Sequence, residues 1–247
     1  MNRRPVLLVI AHGSRDPRHA ATVHALVRAA GVPRPGLRVE TAFLDFNVPS
    51  VQAVLERLAA DGVREVVALP LLLTRAFHAK ADIPAVLREA PQSLCVRQAP
   101  VLGPSPLLVA ALERRLYEAG LTPADKRSTG VVLASAGSTD PEAIAVIAEM
   151  ARELRHTGWC AVRPAFASAS LPRTEDAVAA LRAEGVRRVA VAPYVIAPGR
   201  LPDRIAAGAA GADVLADVLG PAPEMARLLL TRYDEARAAA EQPAAVA

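Results

Sequence analysis

Val6 to Pro17, VLLVIAHGSRDP, is the stretch that decides the fold, because the chain writes it a second time as VVLASAGSTDP at Val131 to Pro141. Each copy is an apolar run of strand length, then a Gly-Ser turn, then an acidic residue and a proline that open a helix. Two further segments recur in the same order. VETAFLDFNVPS (Val39 to Ser50) returns as VRPAFASASLP (Val162 to Pro172), and DGVREVVALPLLL (Asp61 to Leu73) returns as EGVRRVAVAPYVI (Glu184 to Ile196). A repeat of about half the chain is too long for a solenoid unit and the right size for a small domain. We therefore expect two tandem domains, residues 1–120 and 130–240, joined by Gly120 to Gly130.

Apolar runs alternate with alanine-rich amphipathic stretches. In the first half the expected strands are Val6–Ala11, Leu37–Leu44, Glu65–Leu72 and Leu94–Ala99. The expected helices are Pro17–Ala30, Pro49–Ala60, Asp82–Glu89 and Pro104–Ala119, with prolines 17, 49 and 104 in first turns and Asp16 and Ser50 as N-terminal caps or first-turn acceptors. The second half repeats this up to a last helix at Ala222–Ala240, leaving Glu241–Ala247 as a frayed tail. Near-continuous apolar strands alternating with helices mean α/β architecture, with a parallel sheet flanked by helices in each domain.

Composition narrows the partners. With 3% aromatic residues there is little on which to stack bases. The net charge of +4 is modest, and no basic run marks a nucleic-acid surface. Cys95 and Cys160 fit neither a CxxC nor a zinc spacing. The basic start and short apolar run of MNRRPVLLVIAHG form a first strand rather than a signal segment, and no run reaches membrane-spanning length. The expectation is a cytoplasmic protein. There is no GxxxxGK[ST], hence no expected use of ATP, and no GxSxG elbow.

The two copies differ in chemistry. His12 falls on Ala136, Asp45 on Ser168 and His78 on Leu201, whereas Gly13 and Ser14 persist as Gly137 and Ser138. The scaffold survives duplication without those three side chains, so they serve something other than folding. Each follows an expected strand, so all three sit at the carboxyl edge of one sheet, where such sheets bind ligands. Two imidazoles and a carboxylate there suit a divalent first-row metal with open coordination positions. Arg15, Arg75 and Lys80 flank the histidines and could hold an anionic ligand. His19, His24 and His156 are read as surface or capping residues on helices. A hydrolase using Ser14 and His12 is disfavoured, because Ser14 persists in the copy that lacks the histidine.

The motifs AHGSRDP, AFLDFNVPS and PLLLTRAFHAKADIP, in that order, resemble the sirohydrochlorin chelatases of the CbiX/SirB type. The resemblance covers the first half closely and the second as a degenerate repeat. It implies ATP-independent insertion of Fe2+, with Co2+ possible, into a carboxylate-rimmed tetrapyrrole, in siroheme or cobalamin biosynthesis. It implies no cofactor beyond the substrate metal. His12 and His78 would hold the metal. Asp45, where the family has Glu, would manage charge and protons. The alternative on the same fold is a non-catalytic metal-binding or metal-delivery protein, which would need no anion grip.

Overall fold

The computed structural model describes residues 4–75 and 78–241, giving only the backbone for residues 78, 79, 240 and 241. Strands β1 (Val6–Ala11), β2 (Val39–Phe43), β3 (Glu65–Pro70) and β4 (Cys95–Gln98) form one parallel sheet in the order β2-β1-β3-β4. Strands β5 (Thr129–Ser135), β6 (Ala161–Phe166), β7 (Arg188–Tyr194) and β8 (Val214–Leu215) form a second parallel sheet in the equivalent order β6-β5-β7-β8. The duplicated sequence thus folds as duplicated topology.

The helices are α1 (Pro17–Gly31), α2 (Val51–Ala60), α3 (Ile83–Arg88), α4 (Pro106–Glu118), α5 (Pro141–His156), α6 (Thr174–Ala183), α7 (Arg200–Gly208) and α8 (Pro223–Glu241). Asp16 caps α1 by accepting the Arg18 N–H at 2.9 Å, and Ser50 caps α2 through the Ala53 N–H at 3.2 Å. Pro17 occupies the first turn of α1 as expected. Pro49 and Pro104 do not occupy first turns. Each follows a cis peptide bond and precedes the capping serine, Ser50 or Ser105, and Pro106 opens α4 instead. The segment read as a linker is ordered into a 3-10 turn at Pro123–Arg127 before β5 begins.

Why the strands read as unbroken apolar runs is visible in their burial. Val6, Leu8 and Ile10 of β1 join Val54, Leu55 and Leu58 of α2 in one core cluster. The intervening Leu7 and Val9 are equally buried on the other face of the sheet. Both faces are covered by helices, so charged and strongly polar side chains are disfavoured along the strand. The second sheet has the same design, with Val132, Ala134, Val189 and Val191 packed with Val178 and Leu181 of α6.

Packing and repeat divide the chain differently. The repeat changes copy at residues 120–130, whereas the compact units are residues up to Leu102 with the chain from Ala226 onward, and Gly103–Met225. The difference is the last helix of each copy. α4 buries Leu108, Leu112 and Leu116 in the second unit, beside β7 and α5. α8 belongs to the first unit. There Leu229 and Tyr233 are fully buried, the Tyr233 hydroxyl donates to the Pro5 carbonyl at 2.8 Å, and Arg232 donates to the carbonyls of Val101 and Leu102 at 2.9 and 2.8 Å.

Candidate functional site

In the order β2-β1-β3-β4 the chain moves outward from β1 in one direction to β2 and in the other to β3 and β4. That reversal, between neighbouring strands β1 and β3, opens a crevice beyond their carboxyl ends. His12 directly follows β1, and Asp45 lies just after β2. The loops carrying them are joined backbone to backbone, the Asp45 N–H donating to the His12 carbonyl at 2.9 Å. The chain after β3 leads into a π-helical turn, His78–Asp82, which contains His78 and Lys80. The His78 side chain lies outside the described residues, as do residues 76 and 77. Among the described residues no three His, Cys, Asp or Glu side chains form a metal-holding group.

The loop geometry explains why its glycine and serine are duplicated. Gly13 has φ of +96°, and a Cβ there would stand 1.9 Å from the Asp45 carbonyl oxygen. Gly137 repeats this, with φ of +95° and the same 1.9 Å approach to the Ser168 carbonyl. Ser14 Oγ accepts the Asp16 N–H at 3.1 Å, and Ser138 Oγ accepts the Asp140 N–H at 3.0 Å. Ser14 is thus a turn residue in both copies. Asn47 ties the two loops, its side-chain oxygen accepting the Ser14 N–H at 2.8 Å, and in the second copy Ser170 ties the equivalent loops by donating its hydroxyl to the Ser138 carbonyl.

Asp45 is exposed, and one of its carboxylate oxygens accepts the N–H of Phe46 at 2.8 Å. His12 is partly buried, its ring centroid 6.1 Å from that of Phe46. Arg15 places its guanidinium 5.2 Å from the Phe46 centroid. Arg15, Arg75 and Lys80 are all exposed. Phe46 adopts φ of +61°, a left-handed conformation that costs an ordinary L-residue about 1–2 kcal/mol.

Two of the histidines assigned to surface or capping roles, His19 and His24, are partly buried. His24 is partly buried with its ring edge-on to Phe43 at 5.7 Å, whereas His156 is indeed exposed. His19, in the first turn of α1, has a buried Nδ1 with no hydrogen-bond partner among the described residues. Burial, and then the nearby charge of His12 when protonated, hold the His19 pKa below its ordinary value. The repeat carried a signal for His19 also, since the same offset places it on Ala143, which is buried in α5. In the second copy the corresponding edge holds a cavity of about 390 Å³ between β6, α6 and α7, with Arg173 and Arg204 on its wall.

The fold is a duplicated, parallel four-stranded α/β design with its histidine-bearing loops at the switch point of the first sheet. The CbiX family model matches residues 6–119 and 130–236, and the chain belongs to that family. It is 30% identical over 207 residues to a sirohydrochlorin cobaltochelatase of Priestia megaterium, covering 81% of this chain and 66% of that relative. It is 26% identical over 208 residues to the sirohydrochlorin ferrochelatase of Bacillus subtilis strain 168, covering 82% and 78% of the two chains. The solved structure of SirB from Bacillus subtilis with Fe3+ has the same fold, with a TM-score of 0.82 at 24% identity over 96% of this chain and 97% of that one. No described helix is long and apolar enough to cross a membrane.

Proposed function

We propose that the chain is a sirohydrochlorin chelatase, inserting Fe2+, or alternatively Co2+, into the tetrapyrrole in siroheme or cobalamin biosynthesis. The observation that carries this reading is the paired loop geometry of the two copies. The backbone that presents His12 and Asp45 is reproduced around Ala136 and Ser168, so the fold does not require the imidazole or the carboxylate.

Insertion must strip water from the ion and remove two pyrrole protons. His12 and His78 hold the partly dehydrated substrate ion through neutral ring nitrogens. Asp45, exposed beside the His12 loop, offsets the ion's charge and passes protons to solvent. Arg15, Arg75 and Lys80 grip the substrate carboxylates through charge-assisted hydrogen bonds. The reaction draws on no ATP and no resident cofactor, and the protein works in the cytoplasm on a small molecule and a metal ion, with no nucleic-acid or membrane partner. The repeat boundary at 120–130 remains the evolutionary division into a metal-handling copy and a degenerate one.

Anaerobic incubation with sirohydrochlorin and Fe2+, Co2+ or Ni2+, followed by the visible spectrum, tests this directly. The expected result is conversion with Fe2+ or Co2+ that His12→Ala and His78→Ala each reduce by a hundredfold or more, on the order of a lost catalytic acid-base group. Metal binding without any tetrapyrrole spectral change would instead identify a metal-delivery protein.

A further inference from the structure

Phe46 has no structural reason to be aromatic. It occupies a left-handed position on the loop after β2, and the second copy holds the same position, φ of +61° again, with Ala169. The surrounding backbone bonds are also reproduced. Asn47 N–H donates to the Asp45 carbonyl at 2.7 Å where Ser170 N–H donates to the Ser168 carbonyl at 2.6 Å, and Phe43 N–H reaches the Pro49 carbonyl at 3.0 Å where Phe166 N–H reaches that of Pro172 at 2.9 Å. The turn therefore forms as well with a methyl group as with a phenyl ring.

Burial does not account for the ring either, since Phe46 is 50% exposed. In a chain with so few aromatic residues, Phe43, Phe166, Trp159, Tyr194 and Tyr233 are all buried. Among the described residues, Phe46 is the aromatic side chain counted with the exposed large hydrophobics. It stands 6.1 Å from the His12 ring, with the Arg15 guanidinium 5.2 Å from its own centroid.

We infer that Phe46 is a substrate-binding platform: its exposed ring packs on the apolar surface of the tetrapyrrole macrocycle beside His12, while Arg15, held over that ring, pairs with a carboxylate of the substrate rim. A flat conjugated macrocycle offers a π-face that an aromatic ring recognises and a methyl group does not. A guanidinium over an aromatic ring keeps its N–H fork directed for bidentate carboxylate pairing. This inference rests on the chelatase reading above and adds to it the contact that positions the macrocycle.

The test is an equilibrium titration of metal-free sirohydrochlorin against wild type, Phe46→Ala, Phe46→Leu and Phe46→Tyr, read by tetrapyrrole absorbance, with steady-state kinetics and Co2+ binding measured alongside. Phe46→Ala is expected to weaken tetrapyrrole binding and raise KM by about tenfold, in line with single aromatic stacking contacts, with a smaller effect on kcat. Phe46→Leu should resemble Phe46→Ala, Phe46→Tyr should stay within about threefold of wild type, and Co2+ affinity should be unchanged throughout. Wild-type affinity and KM in Phe46→Ala would overturn the inference alone, as would a Phe46→Tyr as weak as Phe46→Ala. A large fall in melting temperature in Phe46→Ala would make the ring structural and overturn it too. Failure of the wild type to bind sirohydrochlorin would instead remove the chelatase reading, and the platform with it.

Discussion

At the scale of single residues, the chain separates what the turn needs from what the chemistry needs, and the two can be tested against each other. Gly13 and Gly137 meet a carbonyl oxygen at 1.9 Å where a Cβ would go, at φ values that L-residues rarely adopt. Gly13→Ala and Gly137→Ala should each destabilise the fold by about 3 kcal/mol or more, from the clash and the backbone strain together. His12→Ala should leave stability within about 1 kcal/mol of wild type, because the second copy folds with Ala136 in that place. Urea denaturation of the three variants checks both statements, and a His12→Ala protein as unstable as Gly13→Ala would mark the imidazole as structural. His19 adds a pH dependence. Its pKa is lowered by burial and by His12, so the unfolded chain takes up a proton at higher pH than the folded one does. Its contribution to stability is full above about pH 6.5 and declines as pH falls from there through the lowered folded value. His19→Gln should flatten that part of the stability profile measured by thermal melts.

At the scale of elements, β8 is the shortest described strand, two residues long at the edge of its sheet. Asp213, immediately before it, is what docks it. Its carboxylate accepts the Val189 N–H at 2.6 Å and Arg182 Nη2–H at 2.8 Å, and its own N–H donates back to the Val189 carbonyl at 2.8 Å. The Val189 backbone bond, followed by Arg182, holds the Asp213 carboxyl below its ordinary pKa of 3.8. This stabilisation is present above about pH 3.8 and is lost as pH falls through the lowered folded value. The side chain is 42% exposed, so solvent screening keeps the charge contribution below about 1 kcal/mol. Asp213→Asn, which keeps an acceptor oxygen but no charge, should be slightly less stable near neutral pH and equal to wild type in strong acid. A constant offset between the two across the whole acid range would mean that packing, not charge, is what Asp213 supplies.

At the scale of the whole molecule, the cut suggested by the repeat is not the cut made by packing. A fragment ending near residue 120 lacks α8, whose Leu228, Leu229 and Tyr233 are fully buried in the first unit and whose Arg34–Asp234 ion pair ties it to the segment between α1 and β2. Such a fragment also carries α4, whose apolar face belongs to the second unit. It should lose several buried large side chains at about 2–5 kcal/mol each, more than a small domain can spare. The expected outcome is no cooperative urea transition for residues 1–120 on their own. A sharp transition close to that of the full chain would show that the repeat, not the compact unit, is the folding unit.

The sequence by itself determined the duplication, the parallel α/β class, the positions of all four strands of the first sheet to within a few residues, and Asp16 and Ser50 as side-chain acceptors at helix starts. Those features rest on local periodicity and on backbone requirements that a glycine, serine or proline spells out in place. It also shows an internal copy that lacks His12 and Asp45 and repeats the same loop backbone. The tertiary structure decided the rest. Pro49 and Pro104 moved out of the helices because a serine after each supplies the cap. His19 is partly buried, with its Nδ1 shut off from solvent, which its place in the first turn of a helix does not announce. The last helix of each copy took its place by which apolar face it could cover, and an amphipathic pattern states that a face must be buried without stating against what.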